Sequence, residues 1–139
     1  FSVAVLLLLL AAGSGVNSEQ LTQPESLTLR PGQPLTIRCQ VSYSVSSTGY
    51  ATHWIRQPDG RGLEWIGGIR IGWKGAKDSL SSQFSLAVDG SSKTITLQGQ
   101  NMQPGDSAVY YCARFLYSGV GGSYFDYWGK GTVVTVSDS

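Results

Sequence analysis

Histidine, cysteine and charge are all scarce in this chain: there is one His, two Cys, and only 14% of the 139 residues are Asp, Glu, Lys or Arg. A single imidazole and two sulfurs leave a zinc-type centre short of ligands, so no metal site and no cofactor are expected. His53 lies beside Trp54, where a structural role at a loop end suits it better than catalysis. A net charge of +1 lacks the basic surplus that a nucleic-acid or anionic-membrane partner requires. No Asn-x-Ser/Thr acceptor exists, so N-glycosylation is not expected. GKGT near the end is no phosphate loop, because Gly131 stands where Ser or Thr must follow Gly-Lys, and GVGG lacks the dinucleotide-binding spacing. No enzymatic constellation is left.

Long apolar runs are also missing, with one exception. Val3 to Ala12 is apolar but too short to span a bilayer. It reads as the core of a secretory signal peptide at residues 1–18, with small residues before a cleavage point after Ser18; with no initiating Met and no basic start, it reads as N-terminally incomplete. Residues 19–137 then make one domain with one core. Two cysteines in a secreted context imply one disulfide, Cys39–Cys112. It closes a loop of about 74 residues, worth roughly 4 kcal/mol by the chain-entropy account.

Within the domain, helical periodicity is absent and short alternating runs take its place. LTIRCQV sets Leu35, Ile37, Cys39 and Val41 on one face; QFSLAV does so with Phe84, Leu86 and Val88, TITL with Ile95 and Leu97, and TVVTV with Val134 and Val136. RPGQP, QPDGRG, VDGSS and QPGD punctuate them with residues that preset or tolerate turn dihedrals. PDG after WIRQ and DG before SSKTITL each suggest a hairpin. Gly129 and Gly131 suit a bulge at the start of the last strand. Many short strands with turns between them indicate an all-β sandwich or barrel.

Cys39, Trp54 fifteen residues on, and Cys112 far downstream carry a resemblance, and DSAVYYC places Tyr110 two residues before the second cysteine. This pattern resembles an immunoglobulin V-type domain. WIRQPDGRGLEWIG and WGKGT are similar to heavy-chain framework and joining segments, and QLTQPESLTLRPGQ with LQGQNMQPGDSAVYYCAR is most similar to bony-fish antibody heavy chains. The resemblance implies about nine antiparallel strands in two sheets joined by the disulfide, with Trp54, Tyr110 and Asp106 structural. It implies an antigen-binding heavy-chain variable domain, secreted or on the B-cell surface, that pairs with a light-chain variable domain. Residues 138–139 would begin the junction with a constant region. A T-cell-receptor-like chain or a non-rearranging V-set receptor is the alternative; Trp128 and the joining-type WGKGTVVTVS speak against them.

By the same resemblance the hypervariable loops span residues 44–52, 69–78 and 114–126. Tyr50, Thr52, Arg70, Trp73, Lys74, Phe115, Leu116, Tyr117 and Tyr124 are the expected antigen contacts, with Trp73 as anchor. Gly119, Gly121 and Gly122 loosen the third loop's tip. Arg114 and Asp126 flank that loop and resemble a base-kinking pair. Ile55, Gln57, Gly62, Leu63, Trp65, Tyr111 and Trp128 form the expected light-chain face. One departure stands out: Gln83 occupies a position usually held by Arg or Lys, so Asp106 loses its usual ion-pair partner. Arg56, inward by alternation, could replace it, and Gln83→Arg is expected to raise the thermal midpoint unless it already does.

Overall fold

The computed structural model describes residues 18–139, so the expected leader lies, Ser18 apart, outside the described residues. Eleven strands follow: β1 (Leu21–Thr22), β2 (Ser26–Leu29), β3 (Leu35–Val41), β4 (Tyr50–Pro58), β5 (Glu64–Arg70), β6 (Trp73–Ala76), β7 (Phe84–Asp89), β8 (Thr94–Gly99), β9 (Ala108–Leu116), β10 (Tyr124–Trp128) and β11 (Thr132–Val136). They form a four-stranded sheet, β1-β3-β8-β7, and a seven-stranded sheet, β2-β11-β9-β4-β5-β6, with β10 also on β9. Two more strands than the expected nine arise because the first and last are each split. Pro24, which has no N–H to donate, separates β1 on one sheet from β2 on the other. The Gly129–Gly131 stretch separates β10 from β11, with Gly131 at φ +95°. The pairing of β2 with β11 is parallel, an exception to the antiparallel expectation. Against β9 the register slips by one residue at Asp126, between Phe125 and Tyr127, and by one more across the expected glycines, from Trp128↔Ala113 to Thr132↔Tyr110.

The alternating runs became strands whose apolar faces meet between the sheets. Leu35, Ile37, Cys39 and Val41 of β3 are buried while the residues between them are exposed. Phe84 and Leu86, Ile95 and Leu97, and Val134 and Val136 join the same cluster, with Val88 half-buried at its margin. Each such side chain contributes about 1.5–3 kcal/mol through burial. The Cys39–Cys112 disulfide crosses this core beside fully buried Trp54, which is level with Cys112 across β4 and β9. Both anticipated hairpins form, β4 to β5 around Gly60 at φ +72° and β7 to β8 around Lys93 at φ 52°. In the second, Asp89 accepts hydrogen bonds from Ser91 and Ser92 and so ties its own turn. Among the described residues, every strand and the disulfide fall within residues 21–136, and the buried cluster lies inside that stretch.

One end of the sandwich is locked by charge. The Tyr110 hydroxyl donates to the Asp106 carbonyl at 2.7 Å, and Arg56 donates to Tyr110 Oη at 3.1 Å. Arg56 also reaches Glu64 at 2.7 Å and Asp106 at 3.1 Å. Burial alone would raise the Asp106 pKa, but the Gln103 backbone N–H, the Gln83 amide and Arg56 outweigh it and hold the carboxyl below its ordinary value. Gln83 Nε2 donates to Asp106 Oδ2 at 3.0 Å while Arg56 serves Oδ1, so both oxygens are occupied. The gain expected from Gln83→Arg therefore shrinks: the substitution should change unfolding free energy by no more than about 0.5 kcal/mol, read from a urea midpoint.

Candidate functional site

At the opposite end from that lock, three connections emerge from the central strands. β4 and β9 pair continuously from Tyr50↔Leu116 to Pro58↔Ala108, which gives the loops a rigid base. β5 and β6 close through a tip at Ile71 and Gly72, with Gly72 at φ +93°. β9 and β10 run out together to Leu116↔Tyr124, leaving residues 117–123 as the third loop. Gly122 sits there at φ +81° and Val120 is fully exposed at the tip.

The base of this loop is clamped. Arg114 donates to Asp126 through Nε at 3.1 Å and Nη2 at 2.6 Å, with both side chains largely buried. Its guanidinium also lies 4.5–5.1 Å from the ring centres of Tyr43, Tyr50 and Tyr127. The Asp126 bond is the largest influence raising the Arg114 pKa. A bidentate pair in an aromatic box positions far better than two solvated charges would.

The expected antigen contacts divide by depth. Trp73, Lys74, Tyr117 and Tyr124 are exposed on the loop end, and Tyr50, Arg70, Phe115 and Leu116 are half-buried. Thr52 is a correction: it is 2% exposed, and its hydroxyl shares a 2.6 Å hydrogen bond with Tyr43 Oη. Central in its sheet, with β5 on one side and β9 on the other, it supports the surface instead of forming it. Tyr50 and Phe115 also hold up the base, packing on Tyr43 and on Phe125. Two surface residues were not anticipated, Ile71 at 45% exposure and Val120. Ile71 directly precedes the hairpin-tip glycine, a signal that could have found it.

The flank of the larger sheet carries a second surface. Leu63, Trp65 and Trp128 are 59%, 37% and 42% exposed, Gln57 and Gly62 are exposed, and Tyr111 is half-buried against Trp128. Ile55 is the correction here. It faces away from the inter-sheet core yet is only 4% exposed, because large residues, Trp65 and Tyr111, stand level with it on the two neighbouring strands.

Between the two surfaces lies His53, buried at 6% exposure. Trp65 Nε1 donates to its Nδ1 at 2.9 Å. The rings of Trp73, Phe115 and Phe125 surround it at centroid distances of 5.4–5.8 Å. Burial pushes its pKa down to about 4. Reading His53 as a lone structural histidine missed that side chains from five strands converge there.

A disulfide-linked sandwich with three loops at one end and an exposed aromatic flank is the architecture of an immunoglobulin variable-type domain. The family described as Immunoglobulin V-set domain matches residues 22–137, and the chain belongs to it. Its relatives narrow the kind. The chain is 44% identical over 126 residues to Ig heavy chain V region XIG14 of Xenopus laevis, covering 89% of this chain and 90% of that one. It is 42% identical over 126 residues to Ig heavy chain V region MOPC 141 of Mus musculus, covering 85% of each, and 38% identical over 125 residues to Xenopus laevis Ig heavy chain V region XIG8, covering 89% and 90%. The likeness is to heavy-chain V regions; the bony-fish flavour of the framework is matched loosely, by amphibian chains. No helix among the described residues is long and apolar enough to cross a membrane.

Proposed function

We propose that this chain is the antigen-recognising variable domain of an antibody heavy chain, residues 19–137, preceded by a signal peptide and continuing at residues 138–139 into a constant region. It works outside the cell, secreted or on the B-cell surface, and binds antigen non-covalently without chemistry. Trp73, Lys74, Tyr117 and Tyr124 meet antigen directly, and Tyr50, Arg70, Phe115 and Leu116 contribute their exposed parts. The light-chain variable domain covers Leu63, Trp65, Trp128 and their neighbours.

The observation that carries this reading is the exposure of Leu63, Trp65 and Trp128, large apolar side chains on the flank of the larger sheet. Contiguous apolar surface of this kind on a domain with a full core of its own marks an interface. Size-exclusion chromatography with light scattering on residues 19–137, alone and mixed with light-chain variable domains of the same source, tests it. A one-to-one heterodimer is expected, and Leu63→Arg should weaken it by roughly 30-fold, the effect of losing about 2 kcal/mol. A monomer that ignores every light chain would remove the pairing assignment.

A further inference from the structure

His53 joins the two surfaces through atoms that can be named. It lies on β4, level with Gly68 of β5 and Ala113 of β9. A Cβ at Gly68 would collide with the imidazole, so the ring lies directly over that glycine's backbone. From the flank, Trp65 donates its indole N–H to Nδ1. An indole nitrogen can only donate, so Nδ1 is the unprotonated nitrogen and Nε2 carries the hydrogen. That Nε2 is buried with no hydrogen-bond partner. The remaining neighbours are the rings of Trp73, Phe115 and Phe125. Trp73 is the exposed anchor of the second loop, Phe115 precedes the third, and Phe125 closes it.

The hydrogen bond to the imidazole comes from a tryptophan on the pairing flank, while the Gly68 backbone lies against its face and three rings pack around it. Trp65 is more than a third exposed, and a partner seated on it would fix or rotate its indole. Rotation breaks that bond to His53, and the ring beneath Trp73 turns with it.

We propose that His53 is a positioning residue that couples the pairing flank to the antigen-binding loops, so that the state of Trp65 sets the pose of Trp73 and of the third loop's base. The proposal rests on the antibody reading for its two partners, but the coupling is a property of this chain alone. It implies that a light chain making no antigen contact still changes the affinity carried by Trp73.

The chain's single histidine makes the test direct, since any imidazole resonance belongs to His53. Nitrogen-15 spectra of residues 19–137 would follow that imidazole and the four indole N–H signals, assigned by single Trp→Phe variants. Trp65→Phe removes the donor and keeps a ring. It should shift the imidazole Nδ1 resonance and, with it, the Trp73 indole signal. Leu63→Ala trims the same flank with the Trp65–His53 bond intact, and should leave the Trp73 signal in place. In His53→Gln, the Trp73 response to Trp65→Phe should be lost. A Trp73 signal unmoved by Trp65→Phe, or moved equally by Leu63→Ala, overturns the coupling. Adding light-chain variable domains tests the other reading separately: failure to pair removes the partner, whereas the response to Trp65→Phe decides the coupling in either case.

Discussion

Arg56→Met should lower the unfolding free energy by about 3 kcal/mol, seen as a lower urea midpoint at unchanged slope. Arg56 is 8% exposed and serves Glu64, Asp106 and the Tyr110 hydroxyl at once. Its guanidinium carbon also lies 5.4 Å from the Phe84 ring centre. Burial alone would lower its pKa, but the bonds to Tyr110 and Glu64 outweigh that and raise it, so it stays charged throughout. Breaking a buried pair by removing one member costs about 3–5 kcal/mol. The low end applies because Asp106 keeps Gln83 and the Gln103 N–H, and Glu64 keeps Lys77. Lysine should recover little, because one ammonium on a flexible stem lacks the guanidinium fork that serves three partners at once. The variant should also tolerate acid differently. Bonding to Arg56 is the first cause lowering the Glu64 pKa, and Asp106 is lowered as well. Carboxylates depressed in the fold give stability that is present above their unfolded values near pH 4 and lost as pH falls through the folded ones. Arg56→Met should flatten that limb, and a loss under about 1 kcal/mol would show that desolvation cancels the network.

The second large effect lies at milder acidity. Between pH 6.5 and 4.5 the domain should lose about 2–3 kcal/mol of stability, and His53→Gln should abolish most of that loss. In the fold, burial lowers the His53 pKa to about 4, against about 6.5 in the unfolded chain. The folded state therefore binds fewer protons across this window, so stability rises with pH and falls as pH drops from 6.5 toward 4. The direction is opposite to that of a histidine held by a carboxylate. Its cause is visible: the groups around the ring are Trp65, Trp73, Phe115 and Phe125, none of which can compensate a positive charge through an ion pair. Unfolding free energies of wild type and His53→Gln at pH 7.0 and 4.5 separate this limb from the carboxylate limb below pH 4. Equal pH slopes in the two proteins would mean that the imidazole escapes to solvent before the domain unfolds.

Much of the frame was legible because strand alternation is a local signal. In LTIRCQV every second residue is apolar, and a pleated strand must send those residues to one side. The disulfide was legible by count, since two cysteines allow one bridge, and the hairpins by the dihedrals that Asp-Gly turns tolerate. The charged lock was half legible. Alternation turned Arg56 inward and the resemblance supplied Asp106, but the division of that carboxylate between Arg56 and Gln83 depends on distances across two sheets.

What covers a side chain on the outer face was not legible, and there Ile55 shifted; Thr52, two residues before core-facing Trp54, stands on the inner side by the same alternation that turned Arg56 inward. Ile55 belongs to a strand paired on both sides, where neighbours many residues away in sequence decide exposure. Tyr43 takes the Thr52 hydroxyl, and Trp65 and Tyr111 flank Ile55. His53 shows the same limit most fully, since its five-strand environment is written in no contiguous stretch. The sequence by itself determined the sandwich, its bridge, its turns and the family, because each follows from spacing along one segment. Only the tertiary structure decided that Arg56 serves three partners and that side chains of five strands converge on one imidazole, because both need side chains brought together from separate strands.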